Sequence, residues 1–248
     1  AHADTLADCT QRTDLAKAAS ACTALIKEAK QDRAKLAVAY SNLGATQKAQ
    51  GDLKTALSSL GWALVYDNKN ANLWHERALV RAGLGQTLRS AADETVAVRY
   101  DPRKIEAWIA RSDLFRQMGA LTKAVSDASE ALKLDPKSAP ALANRAYAQV
   151  RLGQLDKAKA DADEAIKLDA KSARGYLARG LSQEKSDKPK AVADFKKAIE
   201  LDPKLPMAYY DRAVTRALHE SPAAHARRRA TSPNPSGRTL CTTHVGIP

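Results

Sequence analysis

Self-similarity at one fixed step constrains this chain more than any other feature. Asp101-Pro102, Asp135-Pro136 and Asp169-Ala170 recur every 34 residues, and Asp202-Pro203 follows after 33. Gly51, Gly85, Gly119 and Gly153 keep the 34-residue step. So do Ala63, Ala97, Ala131 and Ala165, with Ala198 after 33, and the bulky series Trp74, Trp108, Leu142, Tyr176. A period of this length marks an array of short supersecondary units that bury their apolar faces against neighbours. The units are 37–70, 71–104, 105–138, 139–172 and 173–205. In the third, the apolar spacing predicts helices over Ile105–Met118 and Leu121–Leu134. Gly119 supplies the left-handed residue between them, and Asp135-Pro136 ends the second, since proline cannot continue a helix. Aromatics make up only 5% of the chain, so the helices must close on alanines such as Ala124 and Ala131. The expected class is all-α.

The unit Ile105-Glu-Ala-Trp108…Met118-Gly119…Ala124…Ala131-Leu-Lys-Leu134-Asp135-Pro136 resembles the tetratricopeptide repeat family, over about 170 residues in five consecutive units. The resemblance implies a right-handed α-solenoid of helix-turn-helix repeats with a concave groove. Three departures stand out: Asn68 where proline is usual, Ser90 where alanine is usual, and a fifth turn, Ser186-Asp187-Lys188-Pro189, that lacks glycine and is one residue short. Pro206–Leu218 reads as the first helix of a sixth repeat without its partner, placing a cap or partial repeat over 206–219. From Ser221 on, Pro, Ser, Thr and Arg dominate without apolar periodicity, so 220–248 is expected to be a disordered basic tail.

Within the repeats, Arg holds the seventh position as Arg77, Arg111, Arg145 and Arg179. Each is followed by an Asp in the next helix: Asp93, Asp127, Asp161 and Asp194. The first unit carries Leu43 and Ser59 and so lacks both members. Joint loss favours structural ion pairs within each unit over an anion-binding ladder.

Residues 1–36 read as a helical hairpin. Asp14 caps a helix from Leu15 to Lys30, and a shorter helix runs from Asp4 to about Thr10. A turn at Arg12-Thr13 then brings Cys9 near Cys22, where a disulfide is expected. Such bonds persist in oxidising compartments. The opening Ala1-His2-Ala3 fits the pattern left by signal-peptide removal, so a periplasmic or secreted location is expected. A cytoplasmic one follows if the two thiols stay reduced. No apolar run approaches the roughly 18 residues that cross a bilayer.

No catalytic constellation appears. His2, His75, His219, His225 and His244 share no metal-ligand spacing with Cys or carboxylates, and phosphate loops and nucleophile elbows are absent. No enzyme activity, cofactor or metal is expected. The net charge of +12 divides as +1 over residues 1–36, +7 over 37–205 and +4 beyond. Without a basic stripe interleaved with aromatics, specific nucleic-acid binding is not expected, although a basic helical array binding RNA is one alternative reading. Another is an assembly factor that self-associates through its incomplete terminal repeat.

The leading expectation is a protein-interaction scaffold. The resemblance implies that ligand contacts come from each first helix: Asn72, His75 and Leu79; Glu106, Ile109, Asp113 and Arg116; Tyr147, Val150 and Arg151; Arg174, Leu177, Leu181 and Lys185; then Tyr210 and Val214. That surface suits a peptide with apolar anchors and acidic residues. The alternative is that these side chains finish the packing between units. The family's carboxylate clamp is not carried over, since Ser41, Ala45, Glu106 and Ala110 depart from it and only Asn42 matches.

Overall fold

A computed structural model describes residues 2–219, with side chains described from 5 to 215; the expected tail over 220–248 lies outside the described residues. The described chain is thirteen helices without a strand. The hairpin pairs α1 (His2–Thr10) with α2 (Leu15–Ala29). Five helix pairs follow: α3 (Arg33–Ala49) with α4 (Leu53–Tyr66), α5 (Ala71–Gly83) with α6 (Thr87–Tyr100), α7 (Ile105–Gln117) with α8 (Leu121–Leu134), α9 (Ala139–Arg151) with α10 (Leu155–Leu168), and α11 (Ala173–Gln183) with α12 (Lys188–Leu201). The single helix α13 (Pro206–His219) closes the row.

Local chemistry sets these boundaries. Gly51, Gly85, Gly119 and Gly153 all have φ between +71° and +84°, the left-handed region that favours glycine. The fifth unit turns differently. Ser186 and Asp187 both donate backbone N–H to Gln183 O, and the Asp187 side chain caps α12 at Lys190 N. A tight turn capped by a carboxylate thus replaces the glycine and accounts for the missing residue. Between units, the carboxylates of Asp101, Asp135, Asp169 and Asp202 each accept the N–H two residues on, at 2.9–3.0 Å. These Asx turns are why Asp recurs with the period. The indole of Trp108 donates to Pro102 O, and that of Trp74 donates to Asn68 O in the same way. The first unit's missing proline is therefore absorbed without changing the linkage. Helix α3 starts at Arg33, capped by Asp32 at Lys35 N, so the first unit's leading helix reaches back into the segment read as the hairpin.

Packing inside a unit is a matter of complementary volume. Gly44 faces Leu60, and a Cβ there would sit 2.7 Å from the leucine; at Gly180 it would sit 2.5 Å from Phe195. The units with Ser112 and Ala146 at the glycine position carry Ala128 and Ala162 where Leu60 and Phe195 stand, whereas the unit with Ala78 carries the buried Glu94 there. Ser90, the departure in unit two, donates its hydroxyl to Ala78 O at 2.7 Å and so satisfies itself inside the contact. Between units, successive first helices touch (α3 with α5, α7 with α9, α9 with α11), while second helices make no comparable contact. First helices therefore line the inside of the curve.

At the amino end the structure places the Cys9 and Cys22 sulfurs 2.11 Å apart, with Cα atoms 4.6 Å apart, in a buried cluster with Leu25 and Ala39. Cys241 lies outside the described residues.

Candidate functional site: the inner face of the first helices

The inner face is built from side chains of the first helices. Its middle is a charged cluster. Arg116 on α7 donates to Asp113 one turn earlier, at 3.0 Å from Nε. Arg174, two units along on α11, reaches the same carboxylate at 3.0 Å. It also donates to Asn144 of α9, whose amide N–H reaches Ile109 O. One aspartate thus serves two guanidinium groups from α7 and α11, with Asn144 bridging. Burial holds Arg174 below its ordinary pKa; Asp113 opposes that and neighbouring Arg116 adds to it. The Arg116 guanidinium lies 5.0 Å from the centre of the Tyr147 ring, a cation–π contact.

The sequence-derived residues divide into three groups. Asn72, Leu79, Arg151, Lys185 and Tyr210 are exposed, Tyr210 most of all at 64%. Ile109, Asp113, Arg116 and Arg174 are partly buried at the cluster. His75, Tyr147 and Leu177 are not open contacts. Leu177, 1% exposed, sits in the core with Phe195 and Ala198, and Tyr147 packs into the same core through its ring. His75 lies 2.9 and 3.0 Å from the two carboxylate oxygens of Glu94. Two kinds of packing cover them: His75 turns to Glu94 on the second helix of its own unit, whereas the approach of α9 and α11 brings Tyr147 and Leu177 into one core. Exposed Asn72 accepts from Lys104 Nζ at 2.7 Å.

The four sequence-paired arginines each hold their aspartate through two parallel hydrogen bonds of 2.7–2.9 Å: Arg77 with Asp93, Arg111 with Asp127, Arg145 with Asp161, and Arg179 with Asp194. The third donor of three of them crosses to the preceding unit, reaching Thr95, Ser129 and Asp163 respectively from Arg111, Arg145 and Arg179. Reasoning from sequence missed that second series, although its members also stand 34 apart. It missed Glu94 as well, because a carboxylate at a core position breaks the pattern instead of repeating it. Burial raises the Glu94 pKa and the His75 hydrogen bond opposes the rise.

At the far end of the inner face, Asp211 is buried and its Oδ2 accepts no hydrogen bond. Burial, with Glu184 nearby, pushes its pKa up to about 6. Among the described residues, no group of three or more His, Cys, Asp or Glu could hold a metal. Nor is any helix there long and apolar enough to cross a membrane. A cavity of about 450 Å³ lies elsewhere, at the hairpin, lined by Leu6, Leu25 and Val38 among others.

Residues 105–138 and 128–160 each match a family model described as tetratricopeptide repeat. Among solved structures, the chain is similar to YrrB, described as a TPR protein with an unusual peptide-binding site: 20% identity, TM-score 0.62, covering 79% of this chain and 99% of that one. It is also similar to a tetratricopeptide repeat protein from Parabacteroides merdae ATCC 43184, at 22% identity and TM-score 0.62, covering 86% of this chain and 96% of that one. MamA follows at 22% identity and TM-score 0.60, covering 69% and 94%. At these identities the likeness is one of fold. No curated protein matches the chain.

Proposed function

Because the chain belongs to the tetratricopeptide repeat family, we propose that it is a non-enzymatic protein-binding scaffold whose inner face takes a peptide segment carrying acidic residues. The observation that carries this reading is the sharing of Asp113 by Arg116 and Arg174. One carboxylate between two guanidinium groups leaves a surplus positive charge. A carboxylate from a ligand would give both arginines a second acceptor in a partly desolvated place, where charge-assisted bonds are strongest. Exposed Arg151 and Lys185 extend the positive charge, and exposed Leu79 and Tyr210 offer apolar contact on either side. YrrB, of the same fold, is described as having an unusual peptide-binding site, which supports a peptide as the class of ligand. We also propose that the Cys9–Cys22 pair is a disulfide and that the protein works in an oxidising compartment such as a periplasm.

The test is affinity capture from a native extract with the parent chain and with Arg116→Gln/Arg151→Glu/Lys185→Glu. Tyr147 and Leu177 are left intact because their loss opens the core. Partners kept by the parent and lost by the variant, with acidic segments protected on binding, are the expected result. Identical captures by two equally helical proteins would remove the inner face from consideration.

A further inference from the structure

The arginine ladder has a fifth member. Counting by the repeat, Tyr209, Arg212 and Ala213 of α13 stand where Trp108, Arg111 and Ser112 stand in α7. The stacking is the same: the Arg212 guanidinium lies 5.5 Å from the Tyr209 ring centre, against 4.8 Å for Arg111 and Trp108. The carboxylate is missing. Arg77, Arg111, Arg145 and Arg179 each close on an aspartate of the following helix, whereas Arg212 makes no ion pair among the described residues. The small-residue seat is open too. Ala78, Ser112, Ala146 and Gly180 are buried under their second helices, and Ala213 is exposed.

The molecule itself records what covers such a surface. Four second helices present one pattern, a small residue, Asp three later and Ala four after that: Ser90/Asp93/Ala97, Ala124/Asp127/Ala131, Ala158/Asp161/Ala165 and Ala191/Asp194/Ala198. The Ser112 hydroxyl, at the position of Ala213, donates to Ala124 O, which fixes where the first small residue lands. Sequence 220–248 does not contain the pattern. Its one acidic residue is Glu220, and Pro222, Pro233 and Pro235 interrupt it. The four second helices that carry the pattern are already engaged by their own arginines.

We propose that the face of α13 formed by Tyr209, Arg212 and Ala213 docks an α-helix from outside residues 1–248 that carries small-x-x-Asp-x-x-x-small. The aspartate takes Arg212 through two parallel hydrogen bonds, and the small residues close on Ala213. This surface is separate from the inner face and does not depend on it.

The probe is a fluorescein-labelled peptide of residues 121–137, titrated with the full chain and read by fluorescence anisotropy. Saturable one-to-one binding is expected. Asp127→Lys in the peptide should weaken it at least about tenfold, and Arg212→Asp in the chain should restore the charge-reversed peptide while weakening the parent. Ala213→Leu, which fills the seat without touching the charge, should abolish binding of both. Lys69→Glu, an equal charge reversal at an exposed residue between α4 and α5, should leave it unaltered. Absence of saturation up to about 1 mM, or equal affinity of both peptides for both chains, overturns the proposal. Helicity by circular dichroism is compared for every variant. If Arg212→Asp loses helicity, the Ala213→Leu result decides.

Discussion

A buried polar side chain is most stable where a neighbouring helix supplies its partner. Glu94 is fully buried and tolerable because His75 meets both of its oxygens. Asp211 has no such partner for Oδ2, and its pKa of about 6 follows from burial and from Glu184. The sign of the pH effect is fixed by that direction. The folded state holds the proton more tightly than the unfolded chain, so this residue's contribution is most favourable below about pH 4. It declines as pH rises toward 6 and stays unfavourable above. Asp211→Asn is therefore expected to stabilise the protein at pH 7 by about 1 kcal/mol, a discounted figure because the carboxyl keeps some solvent contact. The gain should vanish near pH 4. Urea unfolding of parent and variant at pH 7, 5.5 and 4 measures it. A pH-independent difference would contradict the assignment.

Among elements, glycines of one kind have opposite roles. Gly61, inside α4, has nothing within 4 Å of the place a Cβ would take, whereas Gly180 in α11 has the Phe195 ring at 2.5 Å. Gly61→Ala should stabilise by about 0.5–1 kcal/mol through helix propensity and a less flexible unfolded chain. Gly180→Ala should destabilise by about 1–3 kcal/mol despite the same propensity gain, because the α11–α12 contact must open. Thermal unfolding followed by circular dichroism separates the two signs. Volumes compensate in four of the five units: Gly44 and Gly180 on the first helix admit Leu60 and Phe195 on the second, and Ser112 and Ala146 go with Ala128 and Ala162, while in the second unit Ala78 goes with the longer Glu94. The repeat spacing displays both positions, but not that one compensates the other.

Across the molecule, backbone packing joins helices of the same or the adjacent unit, with the Arg174–Asp113 ion pair reaching one unit further, so stability is close to a sum of unit and interface contributions. Changes at one end should remain there. With a Cys9–Cys22 bond, the denatured, unreduced protein should show one reactive thiol, Cys241. Cys9→Ser/Cys22→Ser should cost about 3 kcal/mol at the hairpin, the loop-closure value for a loop of this size. Hydrogen exchange should then speed up in α1–α3 and stay unchanged in α9–α12. Three reactive thiols in the parent would remove both the bond and the argument for an oxidising compartment.

Register, turn positions, the second helix of each unit and the Arg–Asp partners were all legible in the residues. Each depends on spacing along the chain: a left-handed glycine, an Asx turn, a guanidinium fifteen or sixteen residues before its carboxylate. Which inner-face positions remain open was decided only in three dimensions. His75, Tyr147 and Leu177 occupy the same kind of position as exposed Leu79 and Tyr210, yet His75 is buried against Glu94 of α6, and Tyr147 and Leu177 where α9 meets α11. That packing depends on residues up to tens of positions away. Period is a local, one-dimensional property and survives in the sequence. Burial depends on how adjacent units fit, which appears only when the helices are packed.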